Sequence, residues 1–128
     1  MPVSKSTYTP GMCNIGPAER RMRRMSGIAA GVVTIALVAI LSIIDAPWGV
    51  KLLVFIPAAI SASGFLQDAF HFCAAFGLRG IYNVVNSTGI TENIELESYR
   101  KQDRRKALQI IGLSGLIGVV ITLIALFI

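Results

Sequence analysis

Residues 107–128 read ALQIIGLSGLIGVVITLIALFI, 22 positions without a charge, and they follow directly on Arg100-Lys101-Gln102-Asp103-Arg104-Arg105-Lys106. At about 1.5 Å per residue, a helix of that length covers the roughly 30 Å hydrocarbon core of a bilayer. The basic run ahead of it is what anionic headgroups on the cytoplasmic face of a membrane attract. An apolar crossing with a cationic collar is therefore the unit from which the rest of the chain is read.

The same unit recurs upstream. Arg20, Arg21, Arg23 and Arg24 precede Gly27 to Ile44, 18 uncharged residues in which only Thr34 and Ser42 are polar. A further apolar segment runs from Trp48 to Leu66, with Trp48 suited to the interface and Lys51 able to snorkel outward along its own stem. Pro57 falls in its middle. It frees the Leu53 carbonyl and predicts a kink, tolerable where a neighbouring helix, water or a hydroxyl such as Ser61 satisfies that oxygen. Across all 128 residues, 54% are hydrophobic and 15% charged, with a mean hydropathy of +0.67. A water-soluble fold of this size has too little polar surface to hide so much apolar side chain. The expected class is an all-α integral membrane protein with three transmembrane helices.

Charge distribution sets the orientation. The net charge of +5 is concentrated at the ends of apolar runs, which is a membrane pattern and not a nucleic-acid footprint. Between the first two spans only Asp45 and a borderline Lys51 are charged, whereas the N-terminal arm and residues 67–106 carry nearly all other basic residues. The positive-inside rule then places the N-terminus and the middle region in the cytoplasm and the C-terminus outside.

Three parts follow from the rest of the pattern. Residues 1–16, rich in Pro, Ser, Thr and Gly, read as an irregular tail, ordered only if something holds it. Residues 17–86 form a two-span hairpin that starts at Pro17, with Glu19 able to pair with Arg23, and ends in an amphipathic helix lying in the cytoplasmic interface. That last helix is read from the polar stripe Asp68, His71, Ala75, Arg79, Tyr82, Asn83 and Asn86 opposite Phe70, Cys73, Ala74, Gly77, Ile81 and Val84. After an Asn86-Ser87-Thr88-Gly89 turn, residues 87–128 predict a long helix capped by Thr91, supported by Glu97 with Lys101, and about 55 Å long. It extends into the cytoplasm before entering the bilayer. The sequon at Asn86 is cytoplasmic in this arrangement and unused.

Little in the sequence bears chemistry. There is no phosphate-binding loop, no HExxH and no dinucleotide fingerprint, and one histidine cannot build a Ser/His/Asp set. No charge lies in the centre of a span, which argues against an ion or proton pathway. Cys13 and Cys73 are too few for a disulfide framework. Cys73 sits on the apolar stripe, whereas a reactive thiolate needs exposure and a cationic neighbour, so a structural cysteine is the main reading. A thiol- or sulfur-handling carrier or permease component using Cys73, with or without Cys13, is the alternative from another class. His71, the one candidate ligand for a pigment or haem, reads first as a solvated polar residue beside Asp68. No metal or cofactor is expected, and bound lipid is.

Small residues at four-residue spacing recur in every span: Gly27 with Gly31, Ala58 with Ala62, and Ser114 with Gly118 beside Gly112 and Gly115. In lipid, helices associate through close backbone approach, which such residues permit. The expected occupation is helix packing, within one subunit or between subunits, in a non-enzymatic accessory subunit or a homo-oligomer. The expected partners are the lipid bilayer, other membrane subunits or a second copy.

One resemblance emerges from the order of residues. Asn14-Ile15-Gly16 with the arginines after it, Gly27, Trp48-Gly49, Pro57, Ser63-Gly64-Phe65, Phe72-Cys73 and Gly77 resemble the YgaP-like transmembrane domain family of small bacterial inner-membrane proteins, over about residues 13 to 80. That family begins with Asn-Ile-Gly and arginines, forms a two-span hairpin and ends in a Gly-Phe and Cys-Pro pattern. Ala74 stands here where the family has proline, and the stretch from Glu92 to Ile128 is additional. Some members carry a rhodanese domain and dimerise through their membrane helices; no rhodanese active-site loop is present here. The resemblance implies a self-associating module of the bacterial inner membrane and supplies no reaction.

Overall fold

A computed structural model describes residues 8–83 and 91–128, and these are mostly helical. Helix α1 spans Pro17–Ile43 and opens with proline at its first position, where a missing N–H costs nothing. Asp45, at φ 52°, turns the chain. A return segment follows as α2 (Trp48–Lys51), a 3₁₀ turn (Leu52–Val54) and α3 (Phe55–Phe70). The 3₁₀ turn includes Leu53, whose carbonyl Pro57 leaves without its helical donor, so the strain expected from that proline appears as a tightened turn. Ser61 has other work, since its hydroxyl donates to the Gly27 carbonyl of α1 at 2.8 Å.

The expected amphipathic helix over 68–86 does not form as one element. α3 ends at His71, which is left-handed (φ 56°), with the His71 N–H donating to Asp68 O and the Phe72 N–H to Gln67 O. Those two bonds make a Schellman ending, in a residue type that tolerates positive φ better than most. A short helix α4 (Ala74–Arg79) follows and stops at Gly80, also left-handed at φ 72°. The chain then pairs β1 (Ile81–Tyr82) antiparallel with β2 (Glu92–Asn93), which with two isolated bridges, Thr9 with Cys13 and Ile15 with Asn83, departs from the all-α expectation. The predicted turn at 86–89, the sequon and the boundary between residues 86 and 87 lie outside the described residues.

Helix α5 spans Glu97–Leu126. Thr91 does not cap it, because residues 92–93 are in the β pair and the Ile94 N–H donates to Gly80 O. At 30 residues it is about 45 Å long, shorter than the expected 55 Å by the residues the β pair withdraws.

Three segments are long and apolar enough to cross a membrane: Pro17–Ile43, Trp48–Phe70 and Glu97–Leu126. α3 packs along both α1 and α5, which barely touch each other. At one end Phe72, Ala74, Ala107 and Ile110 cluster, and at the other Leu41, Val54 and Ala125. α3 is therefore antiparallel to both partners, and both basic clusters fall at the same end. On α5 the buried positions Ala107, Ile110, Ser114, Gly118, Thr122 and Ala125 form a single stripe. From Leu108 onward the residues off that stripe are mostly exposed and, apart from Gln109, almost all apolar, including Leu116 at 60% and Ile124 at 56%, a distribution that suits lipid and not water.

Candidate functional site

The small residues singled out by spacing divide into two groups. Gly27 and Gly64 mark the α1–α3 crossing, where a Cβ on Gly64 would lie 2.6 Å from the Arg23 carbonyl and 2.7 Å from the Gly27 nitrogen. Gly31 faces Ser61, Ala58 and Ala62 are buried, and Gly118 abuts Phe55 and Ala59 of α3. Those five sequence-predicted positions pack inside the chain. Gly112 and Gly115 do not, since a Cβ added to either meets nothing within 4 Å.

A cleft of about 380 Å³ runs along α3 where α1 and α5 stand apart. Its floor includes Ala59, Ser63 and Gly64 of α3, and its walls include Ser26 of α1 with Ser114 and Gly115 of α5. Three of the polar groups here already have partners: Gln67 donates to Ser63 and accepts from the Ala74 N–H, and Ser114 donates to Ile110 O. What the cleft offers is shape, a concave surface in which small residues lie between the larger side chains of Phe55, Ile60 and Ile111, with Arg23 and Gln67 also in the lining.

At the basic end, the segment expected to be a loose tail is built into the fold. Asn14 is fully buried, and its side chain brackets the Cys73 peptide, with Nδ2 donating to Cys73 O at 3.1 Å and Oδ1 accepting from Cys73 N at 2.6 Å. Its backbone donates to His71 O and accepts from Asn83 N. Ile15 is also fully buried and forms a bridge with Asn83. Asp103, inside a run of bases, is buried and accepts from the Tyr8 hydroxyl at 2.8 Å and the Gly11 N–H at 2.6 Å. Tyr8 stacks on Tyr82 with ring centroids 4.4 Å apart. Burial, followed by the bond to Asp103, holds the Tyr8 phenol well above its usual range, so it remains a donor at any physiological pH. Residues 8–16 of the tail are thus held by contacts within this chain.

Asn14 and Asp103 carry this arrangement; Asn14 entered the sequence reading only as part of the Asn-Ile-Gly of the resemblance, with no structural role, and Asp103 was not singled out. A signal for Asp103 existed: it stands four residues before Ala107 on the buried stripe of α5.

The arginines of the first cluster are engaged. Arg20 and Arg24 reach Asp68 at 3.2 and 3.6 Å, and Arg23 pairs with Glu19 at 2.8 Å, the pair expected from spacing. Glu19 also accepts from Asn83. Arg21 is exposed. The predicted Glu97–Lys101 pair is not made, and Lys101, Arg104 and Arg105 are exposed with no ion pair among the described residues. Arg100 donates to Ile94 O, and Lys106 lies 4.3 Å over the Phe70 ring.

Cys73 is 2% exposed, and Arg23 Nη2 donates to its sulfur at 2.9 Å. The cationic neighbour that the sequence did not reveal is present, but the access a carrier thiol needs is closed. His71 is exposed and 2 residues from Cys73 in sequence, and among the described residues no group of three His, Cys, Asp or Glu is placed to hold a metal. In the folded protein a maleimide is expected to modify Cys13, which is half-buried, before Cys73. Burial pushes the Cys13 thiol up, so its labelling should quicken as pH rises. Faster labelling of Cys73 than of Cys13 at neutral pH would restore the thiol-carrier alternative.

Comparison with protein-family models, with curated proteins and with solved structures gives no match.

Proposed function

We propose that this chain is a three-span integral membrane protein whose work is helix–helix association, as an accessory subunit of a larger membrane complex or as a homo-oligomer, without catalysis of its own. Its basic end and N-terminus face the cytoplasm and its C-terminus lies outside, by the positive-inside rule. The YgaP-like resemblance makes a bacterial inner membrane the setting and self-association a natural mode.

The observation that carries this reading is the cleft over α3. A glycine inside a helix costs about 1 kcal/mol relative to alanine, and the other glycines of these spans that contact α1 or α3 are explained by that contact. Gly115 is not explained inside the chain. It sits beside Ser63, Gly64 and Ser114 on a concave face into which another helix can approach closely. Neighbouring buried hydroxyls are already bonded, so the surface attracts by packing and not by an unmet polar demand.

Native mass measurement in mild detergent tests the proposal. A complex of two or more chains, of this protein alone or with a co-purifying subunit, is the expected result. Gly115→Leu should fill the cleft and shift the population to the single chain by tenfold or more, while helicity stays unchanged. A stable lone monomer for the unmodified protein would overturn the reading.

A further inference from the structure

We infer that the cleft of about 530 Å³ on the outer face of α5, framed by Lys101, Arg104 and Arg105, holds the phosphate-bearing headgroup of an anionic membrane lipid whose acyl chains descend past Leu108. The site does not depend on the association proposed above, because the two clefts have no lining residue in common.

The two basic clusters of this chain behave differently. In the first, Arg20, Arg23 and Arg24 are each ion-paired, Arg23 to Glu19 and the other two to Asp68. In the second, Lys101, Arg104 and Arg105 carry three positive charges with no ion pair among the described residues. Two acids are near enough in sequence to serve, and neither does. Asp103 points to the opposite face of α5, where Tyr8 and Gly11 occupy it. Glu97, one turn before Lys101, is exposed and forms no ion pair with it.

Helix geometry adds the depth. Positions 101, 104, 105 and 108 share one face, and Gln109 closes the side of the cleft with an uncharged amide. The same face continues through Gly112, where an added Cβ would meet nothing within 4 Å, to Leu116, which is 60% exposed. The surface therefore passes within about two turns from cations to a smooth apolar track, which matches a phospholipid from its phosphate to its acyl chains. Guanidinium groups suit phosphate oxygens because their forked donors meet two oxygens at once, with the lysine adding a point charge. A second copy docking here by twofold symmetry would bring six like charges together, so this face selects an anion.

The full chain is purified in a zwitterionic detergent and titrated with phosphatidylglycerol or phosphatidylcholine, with retained lipid read by native mass spectrometry. Preferential retention of phosphatidylglycerol is expected. Each basic residue near an anionic surface contributes about a factor of five, so Arg104→Gln/Arg105→Gln should weaken retention about 30-fold. Lys51→Gln/Arg79→Gln removes the same charge elsewhere and should leave retention unchanged. Equal retention of the two lipids by the unmodified protein, or equal loss in both double variants, would overturn the assignment. Displacement by millimolar inorganic phosphate would also overturn it, by identifying a soluble anion as the occupant.

Discussion

Gly64→Ala is expected to separate the α1–α3 hairpin, lowering stability in detergent by about 2 kcal/mol even though alanine is the better helix former. The added methyl would lie 2.6 Å from the Arg23 carbonyl oxygen, 2.7 Å from the Gly27 nitrogen and 2.8 Å from the Gly27 Cα. All three are backbone atoms of a long helix, and none can rotate away as a side chain would. Overpacking of this kind costs about 1–3 kcal/mol, and the rigid partner places it at the upper end. Against that stands a gain of about 1 kcal/mol from replacing a helical glycine, which leaves a net loss. The same substitution at Gly112 supplies the control, since its Cβ meets nothing and the change should be neutral or stabilising by up to about 1 kcal/mol. Unfolding titrations of the two variants in one detergent measure the difference. If Gly64→Ala unfolds at the same point as Gly112→Ala, the helices do not cross where the glycines meet.

Which features could be read in the sequence follows from the range over which their causes act. The apolar runs at 27–44, 48–66 and 107–128 fall, but for one residue at the end of the first and two at the end of the third, in three helical segments long enough to cross a membrane, because that property depends only on local composition. Pro17 at the first turn and the Glu19–Arg23 pair are equally local. The segment from Asp68 to Asn83 misled because its polar residues recur at helical spacing. Its conformation is instead imposed from outside, by Asn14, which holds the Cys73 peptide across 59 residues of sequence, and by the core cluster that takes the Phe72 ring. Periodicity carries no record of such a partner. The tail misled for the converse reason. Its Pro, Gly and Ser content describes a chain without regular structure, and residues 8–16 indeed contain no helix, yet Asn14, Ile15 and Gly16 are buried. Asp103 was hidden by its neighbours, because one acid among five bases reads as part of a solvated run until the helix is wound and its stripe is followed.

Asn14→Ala is expected to release the tail and uncover Cys73, at a cost of about 3 kcal/mol. The Asn14 amide satisfies both the N–H and the C=O of Cys73, and Asn14 and Cys73 are buried almost completely. Alanine would leave the Cys73 N–H without a partner, at about 1–3 kcal/mol, and take from the Cys73 carbonyl one of its two donors, at about 1 kcal/mol, the Gly77 N–H remaining, together with a small void. Water can recover part of this only if the segment opens, which is the structural change predicted. Asn14→Asp tests the chemistry separately from the volume. A carboxylate keeps the acceptor for the Cys73 N–H but turns an oxygen toward the Cys73 carbonyl, so it should fail nearly as badly as alanine despite its near-identical shape. The readout is maleimide modification of Cys73, slow in the unmodified protein and faster by tenfold or more in both variants, with Cys13→Ser as background to remove the second thiol. Because α1, α3 and α5 still pack through Gly27, Gly64 and Gly118, helicity should change little, which distinguishes local opening from global unfolding. Unchanged labelling in Asn14→Ala would mean that the Asn-Ile-Gly segment does not hold the basic end together, and the burial of Cys73 would then need a different cause.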